Sequence, residues 1–170
     1  MTVSQTAAWA ALAFFPPAMV LAAVMDVLTL TIRNRLVLII IIGYGVLAPL
    51  AGIPPHEMAW SAAVAAGVLG LGFALFSMGW IGGGDAKLAA ATVLWLGTDQ
   101  LFPYLLYTAL LGGVLTLAIL AFRRLALPAS SLPSWMERLH RPATGVPYGA
   151  AMAPAALMVF PHTPWMAALL

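Results

Sequence analysis

Apolar residues in this chain do not alternate with polar ones; they run in long stretches separated by short polar breaks. A helix that crosses a bilayer needs roughly 20 predominantly apolar residues. That rule predicts helices over residues 7–28, 36–53, 58–80, 101–122 and 148–170, with a shorter one over 85–97. Pro16 and Pro17 predict a kink in the first, and Pro154, Pro161 and Pro164 interrupt the last. The third carries Ala63, Ala66, Gly67 and Gly70 three and four apart, the spacing of close helix packing in lipid. No inverted internal repeat of the transporter kind is visible. The pattern therefore predicts an all-α, polytopic protein with six transmembrane helices in a single domain over residues 1–170.

Charge placement fixes the orientation. Six spans put the breaks at 29–35, 81–87 and 123–147 on one side of the membrane. These contain Arg33, Arg35, Lys87, Arg123, Arg124, Arg138 and Arg141, which are all 7 Lys and Arg residues of the chain. Glu57, Asp99 and both termini fall on the other side. Basic loops stay in the cytoplasm, so the 123–147 loop is expected there and both termini outside it. Without the short fourth span, Lys87 and Arg123 would lie on opposite sides and the partition would fail.

Composition agrees with a lipid surroundings. Hydrophobic residues make up 64% of the 170 and charged ones 7%, against about 25% charged in a soluble domain. Cysteine is absent, which excludes disulfides, Cys-based zinc sites and thiol nucleophiles. No Lys or Arg precedes the first apolar stretch, so no cleaved secretory signal is expected. In the long loop, Pro128 and Pro133 break the chain, and Ser134 with Glu137 has capping-box spacing. Trp135, Met136 and Leu139 would form one apolar face of a surface helix, with Arg138 and Arg141 near lipid headgroups. Substrate contact is the alternative role for that helix.

Two carboxylates fall at the cytoplasmic ends of the spans: Asp26, late in the first, and Asp85, opening the fourth. An acid inside a span costs at least ~2.5 kcal/mol and marks a functional candidate. Each alone has a structural reading: Asp85 as the N-cap of the fourth helix, Asp26 as a partner of Arg33. Together they share one membrane depth and one face, though distant in sequence. Two carboxylates in one partly desolvated site do not readily both ionise, which is the equipment of an aspartic protease working through an activated water. A Ser–His arrangement has little support, because His140 lies in the loop while His56 and His162 map to the opposite face. Gly82, Gly83 and Gly84 precede Asp85 and let an extended substrate strand approach the backbone; a tight turn is the plainer reading. The phosphate-loop ending Gly-Lys-Ser/Thr is missing. Lys87, two residues past Asp85, is expected to meet lipid phosphate or substrate. No metal, cofactor or nucleic acid is expected.

The run Gly82-Gly83-Gly84-Asp85-Ala86-Lys87-Leu88 resembles the Gly-x-Gly-Asp-x-Lys-Leu signature of the type IV prepilin peptidases, membrane aspartic proteases. Asp26 followed by Thr31-Ile32-Arg33-Asn34-Arg35-Leu36 resembles that family's first motif, with Arg33 where proline is usual. Val146-Pro147-Tyr148-Gly149-Ala150 resembles the stretch opening its last helix. The resemblance implies Asp26 and Asp85 as catalytic and Gly82, Gly83, Gly84 and Lys87 as substrate-binding. The Cys-x-x-Cys methyltransferase insertion of full-length members is missing, so the chain is similar to the short peptidases of Tad/Flp pilus systems. These are implied to cut prepilins and pseudopilins at the cytoplasmic face of the bacterial inner membrane. Alternatives are a non-catalytic membrane subunit of a pilus or secretion assembly machine, and a small transporter using the acids as a proton relay.

Overall fold

A computed structural model of the protein describes residues 2–125, 132–142, 144–167 and 169. The described residues are helical wherever they form regular structure. Helix α1 spans Val3–Thr29, α2 Asn34–Leu50, α3 Pro55–Ser77, α4 Gly83–Leu96 and α5 Leu101–Arg123. A surface helix, α6 (Ser134–His140), precedes α7 (Gly149–Val159), a 3₁₀ turn over Phe160–His162 and a last short turn, α8 (Pro164–Ala167).

Local chemistry explains most of the boundaries. Thr2 and Gln5 form a capping box that starts α1: the Thr2 hydroxyl accepts from the Gln5 N–H at 3.2 Å, and Gln5 Oε1 accepts from the Thr2 N–H at 3.1 Å. Pro55 opens α3 at the one helical position where a missing N–H costs nothing. Gly97, at φ 78, stops α4. The helix α1 runs on through Pro16 and Pro17 without a break in its assigned span.

Three helices, α1, α3 and α5, are long and apolar enough to cross a membrane, and α2 is a shorter apolar helix. Their exposed faces are lined with large hydrophobics, among them Leu71 and Phe73 on α3 and Leu110, Val114 and Leu117 on α5. A contiguous apolar exterior of this kind suits lipid and not water. Inside lie the two short helices. Helix α4 packs against α3, α2 and α7; α7 packs against α1 and α5; α1 also packs on α2. At ~1.5 Å per residue α4 is only ~21 Å long, but its buried face includes Leu88, Val93, Trp95 and Leu96, so protein rather than hydrocarbon surrounds it.

Trp95 is the centre of the core. It stacks on Phe15 and Trp165 at ring separations of 5.0 and 4.8 Å. Its indole N–H donates to the Ile40 carbonyl at 2.8 Å, and the Trp165 indole N–H donates to the Trp95 carbonyl at 2.8 Å. Both buried indoles thus keep the hydrogen-bond partner that a buried indole N–H needs.

Three expectations are corrected. Pro154 does not interrupt the last apolar run; it stays inside α7. The interruptions expected at Pro161 and Pro164 are present: neither has the N–H that would continue the ladder, so α7 ends at Val159, and the chain turns once and restarts at Pro164. Ser134 is not the cap of α6; that place belongs to Pro133, and Glu137 instead pairs with Arg141 at 2.6 Å. The small residues at Gly67 and Gly70 meet open space, and the close helix contact lies at Gly72, where a Cβ would sit 2.7 Å from Ala86 Cβ and 3.2 Å from its Cα.

This contrast predicts opposite effects for one substitution. Gly72→Ala must force α3 away from α4 and should lower stability by about 1–3 kcal/mol. Gly67→Ala should be neutral or stabilising by up to about 1 kcal/mol through helix propensity. Unfolding of the two variants in matched detergent measures both, and equal effects would contradict the packing described.

Candidate active site

Where α1 ends, α4 begins and α7 begins, the chain leaves a cleft of about 690 Å³. Each wall has a local cause. Helix α1 closes at Leu30, whose backbone takes the left-handed conformation (φ 52, ψ 32) and whose N–H bonds back to the Asp26 carbonyl at 2.7 Å. Thr31, Ile32 and an extended Arg33 then lead into α2. Opposite, Trp80, Ile81 and Gly82 link α3 to α4.

Asp26 is 4% exposed. Its Oδ2 accepts a 2.7 Å hydrogen bond from the Gly149 N–H at the first turn of α7. The helix N-terminus supplies both a donor and a favourable dipole for a buried acid. Position 149 has no room for a side chain: a Cβ would lie 2.9 Å from Asp26 Oδ2 and 3.0 Å from its Cβ. Arg33 is not Asp26's partner; among the described residues the one ion pair is Arg141 with Glu137.

Asp85 is half-buried and sits in the first turn of α4. Gly82, not Asp85, is the N-cap, and the carboxylate folds back onto it: a Cβ at position 82 would lie 2.8 Å from Asp85 Oδ2. Gly83 and Gly84 are similarly confined, the first by the Phe76 ring and the second by Ile32, each 3.3 Å from where a Cβ would be. The three glycines therefore permit close packing of α4's start against its neighbours. Asp26 and Asp85 line the same cleft.

Lys87 also lines the cleft, and its Nζ donates to Asn34 Oδ1 at 3.1 Å, tying α4 to the start of α2. The third wall, Gly145, Val146 and Tyr148, is held by the preceding loop. Arg123 donates to the carbonyls of Leu139, Thr144 and Gly145 at 2.8, 2.8 and 3.1 Å. Arg138 donates to the Leu28 carbonyl at 2.8 Å, satisfying an otherwise orphaned group at the end of α1. Arg138, expected near lipid headgroups, thus has a structural partner. The loop residues 126–131, including Pro128, lie outside the described residues.

The cleft gathers every residue the sequence singled out: Asp26, Gly82, Gly83, Gly84, Asp85 and Lys87. Asn34 and Gly149 were not singled out as site residues. Both stand within the quoted sequence motifs, but their partners are remote in the chain and only folding reveals them.

This is a helical membrane protein with two acids from distant segments facing one recess. Residues 13–117, more than half of the chain, match the type IV leader peptidase family, and the protein belongs to it. The matched span includes Asp26 and the 82–88 segment and stops before Gly149. No curated protein and no solved structure matches the chain.

Gly149→Ala should displace the Asp26 carboxylate while leaving α7 helical. A displacement of about 1 Å at a reacting group costs roughly a hundredfold in rate, so with Asp26 in the catalytic role that the motif resemblance implies, leader-peptide cleavage should fall by about that factor at unchanged protein level. Wild-type cleavage by this variant would show that the Gly149 contact does not position a working group.

Proposed function

We propose that the protein is a membrane aspartic endopeptidase that removes the leader peptides of type IV, Flp-type prepilins and pseudopilins at the cytoplasmic face of the bacterial inner membrane. The observation that carries this reading is the meeting of Asp26 and Asp85 in one cleft beside Gly82–Gly84. Family membership supplies the class of reaction; the pair supplies a means.

One carboxylate takes a proton from a water held between the two, and the oxygen of that water bonds to the carbonyl carbon of the scissile peptide. The other, protonated, acid gives its proton to the carbonyl oxygen. Collapse of the resulting diol breaks the C–N bond: the first carboxylate passes the proton it took from water to the leaving nitrogen, and the second takes back a proton from a diol hydroxyl. No covalent intermediate with the enzyme is needed. Substrate placement would come from its apolar helix lying against the bundle in the membrane, with the basic leader in the cytoplasm. The scissile strand lies along Gly82–Gly84, and Lys87 contacts substrate from the cleft wall. Binding through the remote helix positions the reacting bond.

Six spans with both termini outside the cytoplasm give this chemistry the correct side. Helices α1, α3 and α5 are long enough to cross, α2 and α4 complete the alternation, and the α7–α8 segment makes the last crossing as a broken helix.

Co-expression with a prepilin tests the pair. Asp26→Asn and Asp85→Asn should each reduce cleavage by about a hundredfold or more with protein levels unchanged. Efficient processing by either variant would refute the dyad. The topology has its own test, helped by the absence of native cysteine. A thiol reagent that does not cross membranes should label Ser134→Cys from the cytoplasmic side and Asp99→Cys from the other; labelling of both from one side would overturn the six-span arrangement.

A further inference from the structure

At the start of α7 the N–H groups of Tyr148, Ala150 and Ala151 bond to the carbonyls of Val146, Pro147 and Tyr148 at 2.9, 3.0 and 2.9 Å. The Gly149 N–H is the one directed elsewhere, to Asp26. A backbone donor is aimed by the helix that carries it, so this bond depends on how α7 is turned and how high it stands. Helix α7 packs between α1 and α5. Asp26 meets it from α1; from α5 the contact falls on the neighbouring residue, Tyr148.

Tyr148 is seated on α5 at two points. Its ring lies against Gly112, where a Cβ would stand 2.8 Å from the ring Cε1 and 3.2 Å from Cδ1. Its hydroxyl is 3.4 Å from the Thr116 hydroxyl. Gly112 and Thr116 are four residues apart, so they share one face of α5. Thr116 gives its single proton to the Gly112 carbonyl at 2.7 Å. Between the two hydroxyls Tyr148 therefore donates and Thr116 accepts. Glycine at 112 sets how close the ring comes to α5, and the hydroxyl pair sets where along α5 it rests. Pro147, fully buried, restrains the chain just before it. Tyr148 lines the cleft of the two aspartates, whereas Gly112 and Thr116 do not.

We infer that Gly112 and Thr116 are positioning residues: by seating Tyr148 on α5 they aim the Gly149 N–H at Asp26 and so hold the acid in place. The effect on rate rests on the aspartic-protease reading above; the aiming of the amide does not.

The test uses the full chain in detergent, with its glycines isotopically labelled for NMR and a prepilin as substrate. The Gly149 amide is assigned by its loss in Gly149→Ala, and its proton, bonded to Asp26 at 2.7 Å, should resonate downfield. Thr116→Val removes the acceptor and keeps the shape. It should move that proton upfield and lower kcat several-fold with KM unchanged, and Thr116→Ser, which keeps the hydroxyl, should restore both. Gly112→Ala displaces the ring itself and should lower kcat by roughly tenfold or more. Gly113→Ala, exposed and with open space around a Cβ, is the control and should change neither. A Gly149 proton or kcat left unmoved by Thr116→Val, or not restored by Thr116→Ser, overturns the inference. So does a change confined to KM, which would make Tyr148 a wall for substrate alone. Should the wild-type chain cut no prepilin while the amide proton moves and returns as described, the aiming stands and the proteolytic reading fails. If Gly112→Ala does not fold, the two Thr116 variants decide the same question.

Discussion

The hydrogen bond from the Gly149 N–H to Asp26 fixes the geometry on which the cleft of the two aspartates rests. An acid buried this deeply needs a donor, since an unpaired polar group in an apolar medium costs several kcal/mol. The start of α7 supplies one, and in doing so joins the first long helix to a short helix more than a hundred residues later. Two arginines make the arrangement possible. Arg123 gathers the carbonyls before Gly149, and Arg138 closes the end of α1. The basic loop is therefore more than a topological signal, because two of its charges hold backbone groups that would otherwise be orphaned.

The cleft and a second recess of about 540 Å³, at the opposite end of α4, have a common origin in helix length. Helices α3 and α5, of 23 residues each, extend ~35 Å, whereas the 14 residues of α4 extend ~21 Å. A short helix enclosed by longer ones leaves a hollow at each end. Polar and charged side chains collect in those hollows because they are the places within the bundle that water or headgroups reach. At one end the hollow receives Asp26, Asp85 and Lys87; at the other, Glu57 and Asp99. Loop backbone at this depth is tolerable because protein covers it.

The sequence made the long elements legible. Apolar runs of spanning length predicted α1, α3 and α5 closely, since a lipid-facing helix needs no periodicity to be recognised. The fourth helix was legible as a short apolar run at 85–97, with the placement of Lys87 and Arg123 in its favour, and Gly83–Leu96 is helical. In the last segment the breaks at Pro161 and Pro164 were legible from the missing N–H, whereas Pro154 stays inside α7, a difference that the presence of proline alone does not reveal. At Gly67 and Gly70 the small-residue spacing signalled packing that this chain does not make, while Gly72, two residues past Gly70 and so on another face of the helix, meets Ala86. Contacts of that kind depend on how far a helix is rotated about its axis, which composition does not specify. The same holds for the site. Asp26 and Asp85 were legible as rare acids in apolar surroundings; Gly149 and Asn34 were not, because each acts through a partner that only the tertiary fold supplies.

Leu30 shows where backbone comfort and cleft shape conflict. A left-handed residue with a branched side chain costs about 1–2 kcal/mol relative to an ordinary conformation, and glycine would occupy the same turn without strain. Yet the Leu30 side chain is part of the wall beside Asp26. A glycine there would ease the helix end and widen the opening next to the acid, so a stabilising substitution at this point would come with a looser grip on whatever enters. Backbone comfort and the width of the cleft are set against each other at a single residue, and screening variants for heat resistance alone would favour the wider opening.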